Sequence, residues 1–327
     1  MNRTRIPTLY LVIPCYNEEE VIEKTAAAVK DKINRLADEG KIERDSKALF
    51  VNDGSSDNTL RMLHELSKRD PFYGVLSFAG NYGHQSAILA GMMEARHYAD
   101  AVVTIDADLQ QDIEALDDFL AAYMSGCDVV YGVRNDRKTD GFLKKATATM
   151  YYKLMHMLGS SALTNSADYR LMSSKALDAL SEYEESSLFL RGLIPTMGFS
   201  SDIIYFDVKE REAGQSKYTF KKMMTLALDG ITSCSIRPLR MIGSLGFITV
   251  IAALVMVIIS IVDWANGKNV QGYTTLLIVM LVLGGVILIS LGVMGEYIGK
   301  TYMEAKHRPR YIVDTVVLRE CRRREEK

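Results

Sequence analysis

Two stretches of this chain carry no charge at all, Met241 to Val262 and Tyr273 to Gly295. Each supplies about the 20 apolar residues that crossing a ~30 Å hydrocarbon core requires. Buried core helices can also be apolar, but charge-free runs of this length are rare in soluble domains. The link between them is short and carries only Lys268. Lys221, Lys222, Arg237 and Arg240 precede the pair, and Lys300, Lys306, Arg308 and Arg310 follow it. Cytoplasmic loops are enriched in such residues, so both flanks are expected in the cytoplasm and Lys268 outside it. The reading is a transmembrane hairpin over 241–263 and 273–295, with Trp264 and Tyr273 at the far interface and a basic tail over 296–327. Gly284, Gly285 and Gly292 in the second span permit close helix approach, or are ordinary membrane glycines. Before the hairpin, Phe220, Met224, Ala227, Ile231 and Cys234 recur at helical spacing. That pattern predicts an amphipathic helix over Tyr218 to Ile236, lying in the membrane interface or on the soluble domain.

The remainder reads differently. The first 210 residues alternate short apolar runs with amphipathic ones. Strands are predicted at Leu9 to Ile13, Ala48 to Val51, Gly74 to Phe78, Ala101 to Ile105 and Asp128 to Tyr131. Helices are predicted at Glu18 to Leu36, Thr59 to Lys68, Gln85 to His97 and Ile113 to Ser125. Such alternation implies an α/β domain with a mainly parallel, doubly covered sheet. The tail from Arg310 to Leu318 alternates enough for another strand. A net charge of −2 over 327 residues gives no global field for nucleic acid. Cys15, Cys127, Cys234 and Cys321 are far apart, match no metal-ligand spacing and read as reduced thiols. The N-terminal apolar run is too short for a signal peptide.

Neither Gly-x-Gly-x-x-Gly nor a Walker A motif is present, so two common nucleotide-binding solutions are absent. Acids and turn formers nevertheless gather after three strands. These are Pro14-Cys15-Tyr16-Asn17-Glu18, Asn52-Asp53-Gly54-Ser55-Ser56-Asp57 and Asp106-Ala107-Asp108-Leu109-Gln110. In a parallel sheet those ends share one edge, where open α/β sheets bind ligands. The hard oxygens of Asp106, Asp108 and Gln110 suit Mg²⁺ or Mn²⁺ bridging a diphosphate. The same acids also suit a helix cap or a solvated turn.

Together these motifs resemble the signatures of inverting family 2 glycosyltransferases of the GT-A, Rossmann-like fold. Ala167-Asp168-Tyr169-Arg170-Leu171-Met172, Gly214-Gln215-Ser216-Lys217-Tyr218 and Gly292-Val293-Met294-Gly295-Glu296-Tyr297-Ile298-Gly299 narrow the resemblance to the polyisoprenyl-phosphate glycosyltransferases. It covers nearly the whole chain, the hairpin included. Two departures stand out. Gly80 occupies the place usually held by Arg before Asn81-Tyr82-Gly83, and Gln111-Asp112 follows Gln110 where Asp-Pro or His-Pro is usual.

The resemblance implies transfer of a sugar from a nucleotide sugar, by analogy with bacterial members a UDP-sugar, to a polyprenyl phosphate such as undecaprenyl phosphate. Pro14, Tyr16, Asn17, Glu18, Val51, Asp53, Asp106, Ala107 and Asp108 would bind the nucleotide sugar. Asp108, Asp106 and Gln110 would hold Mg²⁺ or Mn²⁺. Asp168 would be the catalytic base, or would orient the acceptor, or would stabilise positive charge. Arg134, Arg170, Arg211 and Lys217 would meet phosphates. It also implies a homotetramer at the cytoplasmic membrane. A processive glycan synthase would need more spans, and a non-catalytic sugar-nucleotide sensor would not need Asp106, Asp108 and Asp168 intact.

Overall fold

The computed structural model describes residues 3–135, 166–185, 189–207, 237–266 and 272–319. They fall into two compact units, one built mostly from the first 219 residues plus the C-terminal segment from Pro309, the other holding the apolar helices. The predicted interfacial helix, Arg211, Lys217 and Lys268 lie outside the described residues.

The first unit is built on β1 (Leu9–Cys15), α1 (Ile22–Asp38), β2 (Lys47–Asn52), α2 (Thr59–Arg69), β3 (Tyr73–Phe78), α3 (His84–Ala95) and β4 (Ala101–Thr104). It continues with α4 (Leu116–Met124), β5 (Val129–Arg134), β6 (Ser166–Ser173), α5 (Ser174–Ser181), α6 (Leu190–Thr196), β7 (Ser201–Phe206) and β8 (Val313–Val317). Eight strands form one sheet in the order β7-β5-β6-β4-β1-β2-β3-β8. The β1–β2, β2–β3, β1–β4 and β5–β7 pairs are parallel, whereas β6 and β8 run antiparallel to their neighbours.

Strand alternation divides the core into two layers. Leu9, Leu11 and Ile13 face one side with Val29, Leu63 and Phe119. Tyr10 and Val12 face the other with Val51, Ala87 and Leu177. Every residue of β1 is buried, as expected of a central strand covered on both faces. Helix α3 lies close on that second face. A Cβ on Gly91 would sit 2.3 Å from Val12 Cγ1 and 2.8 Å from Val51 Cγ2, so only glycine allows the approach.

The strands and helices predicted over the first 210 residues are present, with shifted ends. Helix α1 begins at Ile22 rather than Glu18, because Glu18 to Val21 form a turn closed by bonds from Val21 N and Ile22 N to Glu18 O. The tail strand is β8, paired antiparallel with β3. Its approach is tied down by a bond from Ala79 N to Ile312 O (3.0 Å) and by Tyr311 stacked on Phe78 at 5.0 Å.

The second unit contains α7 (Arg237–Ala265) and α8 (Tyr273–Ala305), of 29 and 33 residues. They include both charge-free runs. The windows Leu239–Met256 and Val282–Ala305 have mean hydropathies of 2.0 and 1.8, and none of their described side chains is buried. Large side chains such as Phe247, Ile248, Leu288 and Ile289 stand exposed along them. An apolar surface of that kind suits lipid, and length and composition allow each helix to cross a bilayer.

Candidate active site

The loops after β1 and β2 are laced together by side-chain to backbone bonds. Asn17 adopts a positive φ of 55° and its Oδ1 accepts from Ser56 N (2.8 Å), while Asn17 N donates to Ser55 Oγ (3.1 Å). Glu18 N donates to Thr59 Oγ1 (2.9 Å), and Glu19 Oε2 accepts from Asn58 N and Nδ2. Asn and Asp side chains tolerate such backbone and hold turns locally, which is why these loops are rich in them. The result is a fixed shelf with Tyr16 exposed on it and Asn17 and Glu18 half-buried. Pro14 and Val51 are buried register partners inside the sheet beneath it, and Ala107 is buried too.

Asp53 is buried, and its carboxylate accepts from Tyr82 N (2.6 Å) and Gly83 N (2.9 Å). Burial pushes its pKa up, against the opposing pull of those two N–H groups and His84. Asp53 therefore organises the Asn81-Tyr82-Gly83 turn. Gly54 beside it has φ +64°, and a Cβ there would lie 2.4 Å from Gly80 C. The two loops touch backbone to backbone.

The Asp106 motif follows β4. Leu109 takes a positive φ of 52°, and Gln110 N donates to Asp108 Oδ1 (3.1 Å). Gln111 is buried and grips Asp106 twice: its Oε1 accepts from Asp106 N (2.9 Å) and its Nε2 donates to Asp106 Oδ2 (2.6 Å). This departure from the usual pattern is thus a latch that fixes one carboxylate. Asp112 caps the next turn, its side chain accepting from Glu114 N. Burial raises the pKa of Asp106 and the nearby charges of Asp168 and Asp108 act the same way, while His84 and Arg134 pull it down. Among the described residues, no group of three or more His, Cys, Asp or Glu is placed to hold a metal ion.

Strand β6 brings the remaining acid. It pairs antiparallel with β4, Thr104 opposite Arg170, and so brings Asp168 beside the loop that follows β4, where His84 Nε2 lies 3.5 Å from Asp168 Oδ2 and 3.6 Å from Asp106 Oδ1. The start of β6 thereby joins the edge formed by the ends of β1, β2 and β4. Asp168 Oδ1 accepts from Arg170 Nη2 (2.7 Å) and Arg191 Nε (3.0 Å). Its Oδ2 accepts from Gln85 Nε2 (3.1 Å) and Arg191 Nη2 (2.7 Å), with His84 Nε2 at 3.5 Å. Burial works to raise this carboxyl's pKa, but His84, Arg191 and Arg170 outweigh it and hold Asp168 well below the usual range. For His84, burial opposes the charge, yet the bond to Asp168 and the field of Asp106 raise its pKa.

The sequence-predicted acids Asp53, Asp106, Asp108 and Asp168 all gather at one sheet edge. Arg134 ends β5, close enough for its charge to act on Asp106. Arg170 is fully buried behind Asp168. His84, Gln85, Gln111 and Arg191 were not predicted. His84 and Gln85 follow the Asn81-Tyr82-Gly83 turn directly, an available signal; nothing in the spacing of Arg191 marked it.

Residues 10–181 match the model of glycosyl transferase family 2, and residues 237–301 match that of the GtrB C-terminal hairpin. The chain belongs to glycosyl transferase family 2. The uncharacterized glycosyltransferase YkoT of Bacillus subtilis is 44% identical over 94% of this chain and 91% of its own. The bactoprenol glucosyl transferase of Shigella phage SfV is 39% identical over 93% of this chain and 97% of its own. Among solved structures, the mannosyltransferase PcManGT from Pyrobaculum calidifontis, in complex with GDP-Man and Mn²⁺, is 15% identical over 92% of this chain and 86% of its own, with a TM-score of 0.42. The family 2 glycosyltransferase thus carries its GT-A domain and its apolar hairpin in one chain.

Proposed function

We propose that this glycosyltransferase moves one sugar from a UDP-sugar to undecaprenyl phosphate at the cytoplasmic face of the cell membrane, with inversion, for cell-envelope glycan modification. The observation that carries the reading is a family 2 sheet edge and a GtrB-type hairpin in one chain, at 39% identity to a bactoprenol glucosyl transferase.

The shelf formed by Tyr16, Asn17, Glu18 and the Asp53 loop receives the nucleoside. Asp106, Asp108 and Gln110 would hold Mg²⁺ or Mn²⁺. The donor set fits such a cation: hard oxygens, few enough to leave room for diphosphate oxygens, with mutually repelling carboxylates that a positive ion relieves. When bound, the cation supplies Lewis-acid neutralisation of the departing diphosphate. An oxygen of the acceptor phosphate attacks the anomeric carbon, the bond from that carbon to the diphosphate breaks, and the nucleoside diphosphate leaves. A phosphate monoester is largely ionised near neutral pH, its second pKa being about 6, so the nucleophile needs no strong base. Asp168 holds its cationic neighbours in place, and Arg134 adds positive charge beside Asp106. Arg211 and Lys217 are expected to close over the phosphates, and the enzyme is expected to assemble as a homotetramer.

The test is a panel of radiolabelled sugar nucleotides offered with undecaprenyl phosphate, with NMR of the product's anomeric linkage. One β-linked sugar per lipid from an α-linked donor is expected. Retention, extended chains or transfer to a soluble sugar hydroxyl overturns the assignment.

A further inference from the structure

Asp168 is crowded. Each carboxylate oxygen already accepts two hydrogen bonds within 3.1 Å, and His84 approaches one of them as well. An ionised carboxylate offers about four lone-pair positions, so taking a proton here would mean breaking a bond to an arginine or to Gln85. The groups around it lie in two layers. The side chains of Asp168 and Arg170 are only 3% and 2% exposed and form a buried floor. Above them His84 is 48% exposed and Arg191 36%. Both reach the same oxygen, Asp168 Oδ2, with His84 Nε2 at 3.5 Å and Arg191 Nη2 at 2.7 Å. His84 Nε2 also lies 3.6 Å from Asp106 Oδ1, so this pair adjoins the carboxylates assigned to the diphosphate.

From this layering we infer that His84 and Arg191, held by Asp168, form the seat for the acceptor's phosphate monoester, and that Asp168 is a positioning residue. The inference rests on the transfer reading above and names the part of the site that meets the acceptor. Guanidinium groups bind phosphate through charge-assisted bonds, and one already oriented by a carboxylate fork loses little freedom on binding. A residue on the floor cannot touch a lipid phosphate, which separates Arg191 from Arg170. The position of His84 as first residue of α3 adds the positive end of that helix to the same spot.

The test is direct binding with the full-length enzyme in nanodiscs. Calorimetry compares farnesyl phosphate with farnesol, and UDP with Mg²⁺ serves as a separate titrant. Wild type is expected to prefer the phosphate. Arg191→Gln and His84→Gln should each weaken farnesyl phosphate binding roughly tenfold or more, the loss expected for one charge-assisted bond, while UDP affinity stays within about twofold. Arg191→Lys should recover part of the loss. Undiminished phosphate binding in both glutamine variants, no phosphate preference in wild type, or weakened UDP binding with phosphate binding intact overturns the seat; the last result places the pair on the donor diphosphate. Phosphate binding that behaves as expected in an enzyme that transfers no sugar to lipid supports the seat and counts against the transfer reading alone. In steady state, the acceptor KM should rise in both variants and the donor KM should not.

Discussion

Asp106 sits among negative neighbours, and its raised pKa carries a sign that can be worked out. The folded state favours the protonated form relative to an unfolded chain, so stability is lost as pH rises through the folded value, and at neutral pH the charge is a cost. Asp106→Asn is therefore expected to keep or raise the melting temperature while removing most turnover, and thermal unfolding beside a transfer assay checks both. Asp168 has the opposite sign. Its depressed pKa means that its contribution is fully present above the unfolded value of about 3.9 and is lost only as pH falls through the folded one. Asp168→Asn strands Arg170, a buried cation, at a cost of roughly 3–5 kcal/mol. The drop in melting temperature should be largest where His84 is charged and shrink as pH rises through that group's raised value, because Asp168 then loses one of its cations, while the part owed to Arg170 persists. A drop that grows as pH rises from 6 to 8 contradicts the assignment. Gln111→Leu removes both grips on Asp106 and should cut turnover with a loss of about 1–2 kcal/mol in stability, read by chemical denaturation. Asp53, Asp106 and Asp108 were legible as residues because they stand in turn-forming stretches at strand ends, whereas Asp168, inside β6, was legible only through the family resemblance. Of their partners, Gln111 stood out only as a departure from the family pattern, His84 and Gln85 were signalled only by the turn before them, and Arg191, in a short helix, has no local signature.

At the level of elements, periodicity sufficed for β1 to β5 and the helices between them, but not for β7, α5 or α6. It did not reveal β6 as a strand reversed between β4 and β5, because strand order is settled by tertiary packing rather than by local pattern. That reversal brings Asp168 to the loop after β4, within reach of the same His84 that approaches Asp106, so a feature hidden from a local reading completes the site. The loops depend on equally tight contacts. Gly54→Ala combines a left-handed backbone with a Cβ that would overlap Gly80, and strain of this kind costs about 1–3 kcal/mol before the overlap is counted. It is expected to lower both the melting temperature and UDP affinity, whereas Gly80→Ala, with open space at its Cβ, should leave melting within about 0.5 kcal/mol of wild type, the usual span for such surface changes.

For the molecule as a whole, β7 precedes the hairpin and β8 follows it, yet both belong to one sheet. If the two helices cross a bilayer, their outer ends must therefore emerge on the same side, a conclusion independent of the basic residues that point to the cytoplasm. A cysteine placed at position 268 is expected to react with an impermeant maleimide in intact cells, on a background lacking the native cysteines, and one placed at position 314 is not. The same connectivity also sets an order of events during synthesis. While the ribosome is still making the hairpin, β3 is an open sheet edge, because Val313–Val317 has not yet been translated. An unpaired edge invites association with other chains until it is covered. A chain stopped before Pro309 should accordingly self-associate, as sedimentation can show. Closure of the catalytic sheet thus waits on translation of both apolar helices, so a nascent chain that stalls in the hairpin never completes the catalytic domain.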